Sequence, residues 1–410
     1  MKIGLILFRL NVKGGTQRQA LSFVKQLKEG GHDVTIYSFY FNARKTYEDL
    51  LQGIRIVSLD ERYPGWDKEA KILGMFSRPA YLGWWFMIRR AAYVLSTLID
   101  RDTELLNPQG NVSYFVSYFF WKKIKRIPLV WMLNTMPSKT WGFWKRKTYD
   151  PSFRISPLKF FFYMLLDYYE ALYYIRPHVV VVLDNADQAY AKKYLKKDAV
   201  VVRSGIEADQ FPYKEREATR RKGGKIFLSG IFFDYRRFED AIEAAKILID
   251  RGYQMTAHIL GDYNNDVTYY KKLKQLIANL SLEDKVSFKG IVSESELIKL
   301  HHESDVAVFP YHLQSWGLAV FEAIASGTPV VVSKTLGASE VLVDRKTALL
   351  VDPQSPKQIA DAIETIFKDP NLYHLLSKNG RAFVEHELTR KKYTDRMIHI
   401  FEKAIENKRA

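Results

Sequence analysis

Cysteine is absent from the 410 residues, which excludes disulfides, a Cys-ligated zinc site and a thiol nucleophile and leaves the fold to packing alone. That composition suits a reducing compartment. Long apolar runs are missing as well: Phe160 to Leu166 is soon broken by Asp167 and Glu170, far short of the roughly 18 residues that cross a bilayer. The first residues, Lys2 to Phe8, run straight into Arg9 and a glycine loop without a small-residue cleavage site, so the expectation is a cytoplasmic protein. Acids are scarce in one place. Between Trp121 and Phe160 ten Lys or Arg face a single acid, Asp150, and that net of +9 is over half of the chain's +16. The partner expected there is anionic: phospholipid, lipid pyrophosphate or nucleic acid. No RRM, KH or helix-turn-helix word accompanies the basic stretch, which makes nucleic acid a remote alternative. No GxGxxG fingerprint occurs near the first strand, so a dinucleotide is not implied.

What is present is enough apolar residue, 47%, to bury more core than one compact domain holds. The first forty residues read as strand, glycine loop and helix, with Ala20, Leu21, Val24 and Leu27 at helical spacing and Gly30-Gly31 as the stop. Further strands are expected at 33–37, 54–57, 127–132 and 179–183. Residues 211–224 are polar, end in Gly223-Gly224 and suit a linker. A second series of strands follows at 225–229, 255–260, 286–289, 306–309 and 330–333. Strands that alternate with helices in two series predict two open α/β sheets, with ligands taken at the carboxyl ends of the strands. The predicted division is 1–210, a linker at 211–224, 225–385, and a C-terminal helix at 386–410 that packs back on the first domain.

The most informative segment runs from Phe309 through Gln314, Trp316, Gly317 and Glu322 to Ser333: strand, loop, short helix, glycine stop, proline, strand. A helix opening at Gly317 would aim the backbone N–H groups of Gly317, Leu318 and Ala319 and its positive dipole end at an anion such as a diphosphate. Glu322, one turn inside, is placed to accept hydrogen bonds from ribose hydroxyls. An ordinary βαβ unit with Gly327 as its C-cap has the same spacing.

This segment resembles the signature of the GT4-type retaining glycosyltransferases (glycosyl transferases group 1) of the GT-B fold: a Glu, seven residues, then a second Glu, within a Gly-Phe-Gly-Leu loop and helix. Shorter words are similar too: Gly14-Gly15 before the first helix, Gly31-His32-Asp33-Val34, Arg203-Ser204-Gly205-Ile206-Glu207 and Lys289-Gly290. The resemblance implies an α/β protein with two Rossmann-like domains facing each other across a central cleft. It implies a sugar moved from a nucleotide-sugar co-substrate, UDP- or GDP-linked, to a glycan or lipid-linked acceptor. With no Asp-x-Asp in a nucleotide-sugar context and no Cys, no metal or further cofactor is expected.

Carried over residue by residue, the resemblance puts Gly14, Gly15, Gly230, Arg237, Gly290, Ile291, Val292, Gly317, Leu318 and Ala319 on the donor, and Arg236, Gln314 and Glu322 in the reaction. The chain departs from the family at three places. Gln314 stands at the first Glu, Ile231 at the Arg after the first glycine of the second domain, and Asn134 at a His of the acceptor side. With Gln314 and Asn134 both neutral no protein base is evident, which favours front-face attack in which the leaving phosphate oxygen takes the acceptor proton. An epimerase or phosphorylase on the same fold is the second reading. His301-His302 reads as a helix surface rather than a ligand pair. Finally, Trp121, Trp131, Trp141 and Trp144 alternate with the lysines and arginines of the basic stretch, and Gly83 to Arg90 offers a similar mix, so reversible docking on an anionic membrane is expected.

Overall fold

The computed structural model describes residues 1–67, 80–215, 222–313 and 316–409. The chain divides into two compact units, Met1–Val202 with Tyr393–Ala410, and Arg203–Lys392.

In the first unit β1 (Lys2–Leu10), β2 (Asp33–Phe41), β3 (Arg55–Ser58) and β4 (Leu105–Pro108) pair in the order β3-β2-β1-β4. A second set, β5 (Val130–Met132), β6 (Val179–Val182) and β7 (Ala199–Val201), pairs in chain order. Parallel bridges Leu106↔Leu129 and Gln109↔Met132 join the two sets, and every pairing is parallel. The central strands are apolar on both faces because the sheet is covered on both: Ile3, Leu5, Ile6 and Leu7 are all buried. Tyr393 and Phe401 of the last helix, Arg390–Arg409, pack on Phe23 of the helix Gly15–Glu29, with ring centroids 5.3 and 6.1 Å apart.

The second unit is one parallel sheet of β8 (Gly223–Ser229), β9 (Gln254–Leu260), β10 (Val286–Gly290), β11 (Val306–Phe309), β12 (Val330–Ser333) and β13 (Leu349–Val351), in the order β10-β9-β8-β11-β12-β13. Gly223-Gly224, which reads as the end of a linker, forms the first two residues of β8. The reason is contact: a Cβ on Gly223 would lie 2.2 Å from the Gln254 carbonyl oxygen, so only glycine lets β8 and β9 start side by side. His301 is also not a surface residue. It is fully buried, its ring 4.4 Å from that of Phe227.

Both sheets reverse their strand order next to their first strand, at β1/β4 and at β8/β11. The connections leave in opposite directions there, so the carboxyl ends of those strand pairs are the natural ligand positions of the two units.

One helix of the first unit, Pro157–Tyr173, is held through acids. Asp167 accepts from Ser138 Oγ and from the backbone N–H groups of Lys139 and Thr140, each at 2.9 Å, and from Thr140 Oγ1 at 2.5 Å. Glu170 accepts from Trp85 Nε1 at 2.7 Å, Tyr114 OH at 2.8 Å and Lys139 Nζ at 3.1 Å. Removing one buried carboxylate would orphan several donors at once, so Asp167→Ala is expected to cost about 3 kcal/mol, with Asp167→Asn in between. Urea unfolding of the two variants measures this. A loss below about 1 kcal/mol would mean that the helix is held by its apolar contacts instead.

Candidate functional site

Three neighbouring strands of the second unit end in glycine. Gly230 follows β8, Gly261 follows β9 and Gly290 closes β10. The Gly230 N–H donates to the Leu260 carbonyl at 3.1 Å, and the Gly261 N–H to the Gly290 carbonyl at 2.9 Å. A Cβ on Gly261 would lie 1.9 Å from the Gly230 carbonyl oxygen, and φ is +138° at Gly261 and +67° at Gly290. Side chains are therefore excluded from this row by sterics and by backbone conformation together. Gly261-Asp262-Tyr263 reads in sequence either as a strand end with a Gly-Asp similar to that of the resembled family or equally as a simple turn; the structure makes Gly261 the middle of the row. Ile291 and Val292, which follow Gly290, are exposed and half-buried respectively.

Arg236 lies over the start of the row. A Cβ on Gly230 would be 3.2 Å from its guanidinium carbon and 3.1 Å from the Tyr311 hydroxyl. The guanidinium is stacked 4.4 Å from the centre of the Tyr311 ring, and the Tyr311 hydroxyl donates to the Ser229 carbonyl. Burial pushes the Tyr311 phenol up to about 12, so it stays a neutral platform for the cation. Arg236 is only 9% exposed, its Nε has no hydrogen-bond partner, and among the described residues no carboxylate pairs with it. A buried cation without a counter-charge is costly, and an anion at the strand ends would offset that cost.

Arg237 differs from its neighbour. It takes the left-handed conformation, φ +53°, at the start of the helix Phe238–Asp250. Its guanidinium donates to Asp240 through Nε at 3.0 Å and Nη2 at 2.6 Å, and lies 3.0 Å from Glu239. These bonds commit Arg237 to the turn that aims Arg236. Burial still holds the Asp240 carboxyl up, at about 6, against the pull of Arg237.

The loop from β11 to the helix Leu318–Ala325 carries positive φ at Leu313 (+48°), Trp316 (+30°) and Gly317 (+86°). Gln314 lies outside the described residues. Trp316 pins the loop: it is fully buried, and its Nε1 donates to the Ser204 carbonyl at 2.7 Å. That bond ties the 203–207 word to the signature segment, a link that sequence spacing cannot show. Gly317 is the N-cap and supplies no side-chain acceptor, and a Cβ there would meet Leu336 at 3.0 Å. Leu318 and Ala319 open the helix and Glu322 sits one turn in, half-buried. Arg236, Gly230 and Gly290 are thus brought together at the strand ends, joined by Gly261.

In the first unit Gly14 caps the helix that Gly15 begins. A Cβ on Gly15 would meet nothing within 4 Å. Packing thus gives no reason for glycine at a helical position where alanine is favoured. Asn134, just past β5, ends a chain of buried amides. Asn107 Nδ2 donates to the Val130 carbonyl at 2.6 Å, so Asn107 Oδ1 must accept from Gln109 Nε2 at 2.5 Å. Gln109 Oε1 then accepts from Asn134 Nδ2 at 3.2 Å. The direction set at Val130 passes along the chain and leaves Asn134 Oδ1 a buried acceptor without a partner. Among the described residues no cluster of three His, Cys, Asp or Glu could hold a metal ion.

Comparisons with known proteins bear on the second unit and on the fold. Residues 209–383 match the family Glycosyl transferases group 1, so the second unit carries a domain of that family. Over 162 residues the chain is 30% identical to mannosylfructose-phosphate synthase of Agrobacterium fabrum, covering 38% of this chain and 36% of that protein. Over 98 residues it is 38% identical to D-inositol 3-phosphate glycosyltransferase of an Arthrobacter species, covering 24% and 23%. The matched part thus spans about a quarter to a third of these relatives' length. Among solved structures a glycosyltransferase of Rickettsia africae is similar over 99% of both chains, with TM-score 0.74 and 17% identity. Anabaena HepE in complex with UDP-glucose is similar over 98% of this chain and 100% of its own, with TM-score 0.71 and 16% identity. The fold is the α/β, GT-B class that the sequence resembles.

Asp240 gives the site a signature in pH. Its carboxyl is raised in the folded protein from an ordinary 3.8 to about 6, so between those values the folded state binds the extra proton. Stability contributed by this group is therefore full below the ordinary value and declines as pH rises to about 6. Asp240→Asn has no such group, so the wild-type stability measured relative to the variant should fall as pH rises from about 4 to about 6. A flat difference from pH 3 to 7 would show that Asp240 titrates alike in the folded and unfolded chain, and a rise near pH 4 that Arg237 keeps it ionised when folded.

Proposed function

We propose that the chain is a retaining glycosyltransferase that moves a sugar from a UDP- or GDP-linked donor to a glycan or lipid-linked acceptor. The observation that carries this is Arg236: a buried guanidinium without a carboxylate, laid on a row of glycines at the point where the strand order reverses. A diphosphate supplies the missing negative charge, and the glycine row lets its oxygens approach backbone. The group 1 domain at 209–383 and the UDP-glucose complex of the similar Anabaena protein support the same reading.

In this reading Gly230, Gly290, Ile291 and Val292 receive the base and phosphates with little side-chain obstruction. Gly317, Leu318 and Ala319 offer helix-start N–H groups to the diphosphate, and Glu322 accepts from the ribose hydroxyls. Gln314 contacts the sugar as a neutral amide. Arg237 acts at one remove, holding Arg236 in place. Gly15 leaves room for the donor, and Asn134 offers its unpartnered oxygen to a sugar hydroxyl.

The chemistry follows from charge. As the bond from the anomeric carbon to the diphosphate oxygen breaks, negative charge grows on the leaving phosphate beside Arg236. The acceptor hydroxyl attacks on the same face and gives its proton to that phosphate oxygen, so no protein base is required and configuration is retained. The residues act by positioning and by stabilising charge, which are large terms. We place the enzyme on the cytoplasmic side, peripheral on an anionic membrane that presents a lipid-linked acceptor to the basic first unit.

A donor that binds only the folded state raises its melting temperature, so a panel of UDP-, GDP- and ADP-sugars identifies the donor class; a flat response to all of them would overturn the reading. With that donor, NMR of the product should show the donor's own anomeric configuration. Arg236→Ala should lower kcat by about 10²- to 10³-fold while changing donor affinity less, because its partner charge grows in the transition state. Equal losses in both would reduce Arg236 to ordinary binding. Gly15→Ala should stabilise the fold by a few tenths to about 1 kcal/mol yet weaken donor turnover, and undiminished turnover would remove Gly15 from the site.

A further inference from the structure

The helix Pro157–Tyr173 is turned inside out. Its buried face carries Leu166 and both of its acids, Asp167 and Glu170. Its exposed face carries Leu158, Phe161, Leu165, Tyr168 and Leu172, at spacings of 3, 4, 3 and 4 residues and with exposures of 79, 53, 52, 68 and 44%. From Phe160 to Tyr173 those two acids are the only charges, so the outward stripe has none. Single exposed apolar residues are ordinary on a soluble protein; an uncharged stripe along a whole helix is not. Nor is the orientation loose, because seven hydrogen bonds to Asp167 and Glu170 fix it.

We infer that this stripe is inserted, lying flat, into the outer acyl layer of an anionic membrane, and that the neighbouring cations grip the headgroups. The inference deepens the membrane reading above and rests on it. Basic residues lead into the stripe from its N-terminal side: Arg146, Lys147, Arg154 and Lys159 all precede Phe161 within 15 residues. Lys147 Nζ lies 5.6 Å from the ring of Trp144, which is 44% exposed and packs 6.0 Å from Phe160 at the start of the helix. An aromatic, cationic rim beside an apolar stripe matches a headgroup boundary. A second copy of the chain fits less well as the occupant, since pairing the two faces would bring the same surplus of positive charge together. The helix has 17 residues, about 25 Å, and among the described residues no helix is long and apolar enough to cross a membrane.

The apolar grip therefore falls elsewhere than the tryptophans suggest in sequence. Trp131 is fully buried, with Nε1 donating to the Gly110 carbonyl at 2.9 Å, and Trp141 is packed 4.0 Å from Tyr190. Of the two that remain Trp121 is half-buried, so Trp144 alone of the four joins the stripe at the surface.

The chain has no cysteine, so Leu165→Cys can carry a single environment-sensitive fluorophore, with Leu375→Cys in the second unit as the control. On phosphatidylcholine vesicles containing phosphatidylglycerol, the label at 165 should shift to the blue and the label at 375 should not. Part of the binding should persist in high salt, which screens the cations but not the insertion. The triple variant Phe161→Gln, Leu165→Gln, Leu172→Gln should bind these vesicles at least ~10-fold more weakly while keeping its thermal response to the donor nucleotide. Full release by salt without a blue shift would overturn insertion and leave a purely electrostatic attachment. Absence of vesicle binding by the unmodified protein would overturn the membrane reading as well, whereas the nucleotide response tests the enzyme separately. A concentration-dependent dimer that the triple variant abolishes, without vesicle binding, would assign the stripe to a second copy.

Discussion

The second unit depends on backbone meeting backbone at the ends of β8, β9 and β10. With 1.9 Å between the place of a Gly261 Cβ and the Gly230 carbonyl oxygen, no side chain can stand there. That constraint leaves the strand ends flat, and flatness is what lets Arg236 lie down over Gly230 instead of pointing to water. The arginine is then stacked on Tyr311 and kept from carboxylates, while Arg237 beside it takes Glu239 and Asp240. Two adjacent guanidiniums thus acquire opposite duties from the sign change of one backbone angle: the left-handed turn at Arg237 sends its side chain inward to the acids of the following helix.

The parts legible in sequence were those whose signal is local. The two strand–helix series, the stop at Gly30-Gly31 and the loop-and-helix around Gly317 each have their residues close together in the chain. What escaped depends on partners far away. β4 is Leu105-Leu106-Asn107-Pro108, and a buried amide followed by proline does not read as strand; it is one because Asn107 bonds to Val130 and its neighbours pair with β1. β7 and β13 have three residues each, too few for periodicity to register. The Gly230–Gly261–Gly290 row joins residues some thirty apart, and nothing in any one of them marks it.

The candidate site shows the same division. Arg236 and Arg237 are indistinguishable as neighbours in a sequence, and only the αL turn separates the anchor from the group that is left over. Asn134 looks like a weakened histidine until its amide chain is followed back to Val130. The chain fixes which end of the amide is left over: Nδ2 is spent on Gln109, and Oδ1 remains a buried acceptor without a partner. On the proposed mechanism that neutrality is no handicap, because an amide can orient a hydroxyl while the leaving group takes the proton.

Hydrophobic periodicity reports that a helix has two faces but not which of them is inside. For Pro157–Tyr173 the usual assumption, apolar inward, fails because the neighbouring segment arrives with donors rather than with apolar side chains. Ser138, Lys139 and Thr140 present hydroxyls, N–H groups and an ammonium, and Asp167 and Glu170 accept from them. Once Asp167 and Glu170 have turned inward to meet them, Leu158, Phe161, Leu165, Tyr168 and Leu172 are left on the outer side. The same buried acids that stabilise the first unit therefore create its exposed apolar stripe, and a charge-neutral replacement of the pair would be expected to release the helix to rotate rather than merely to weaken it.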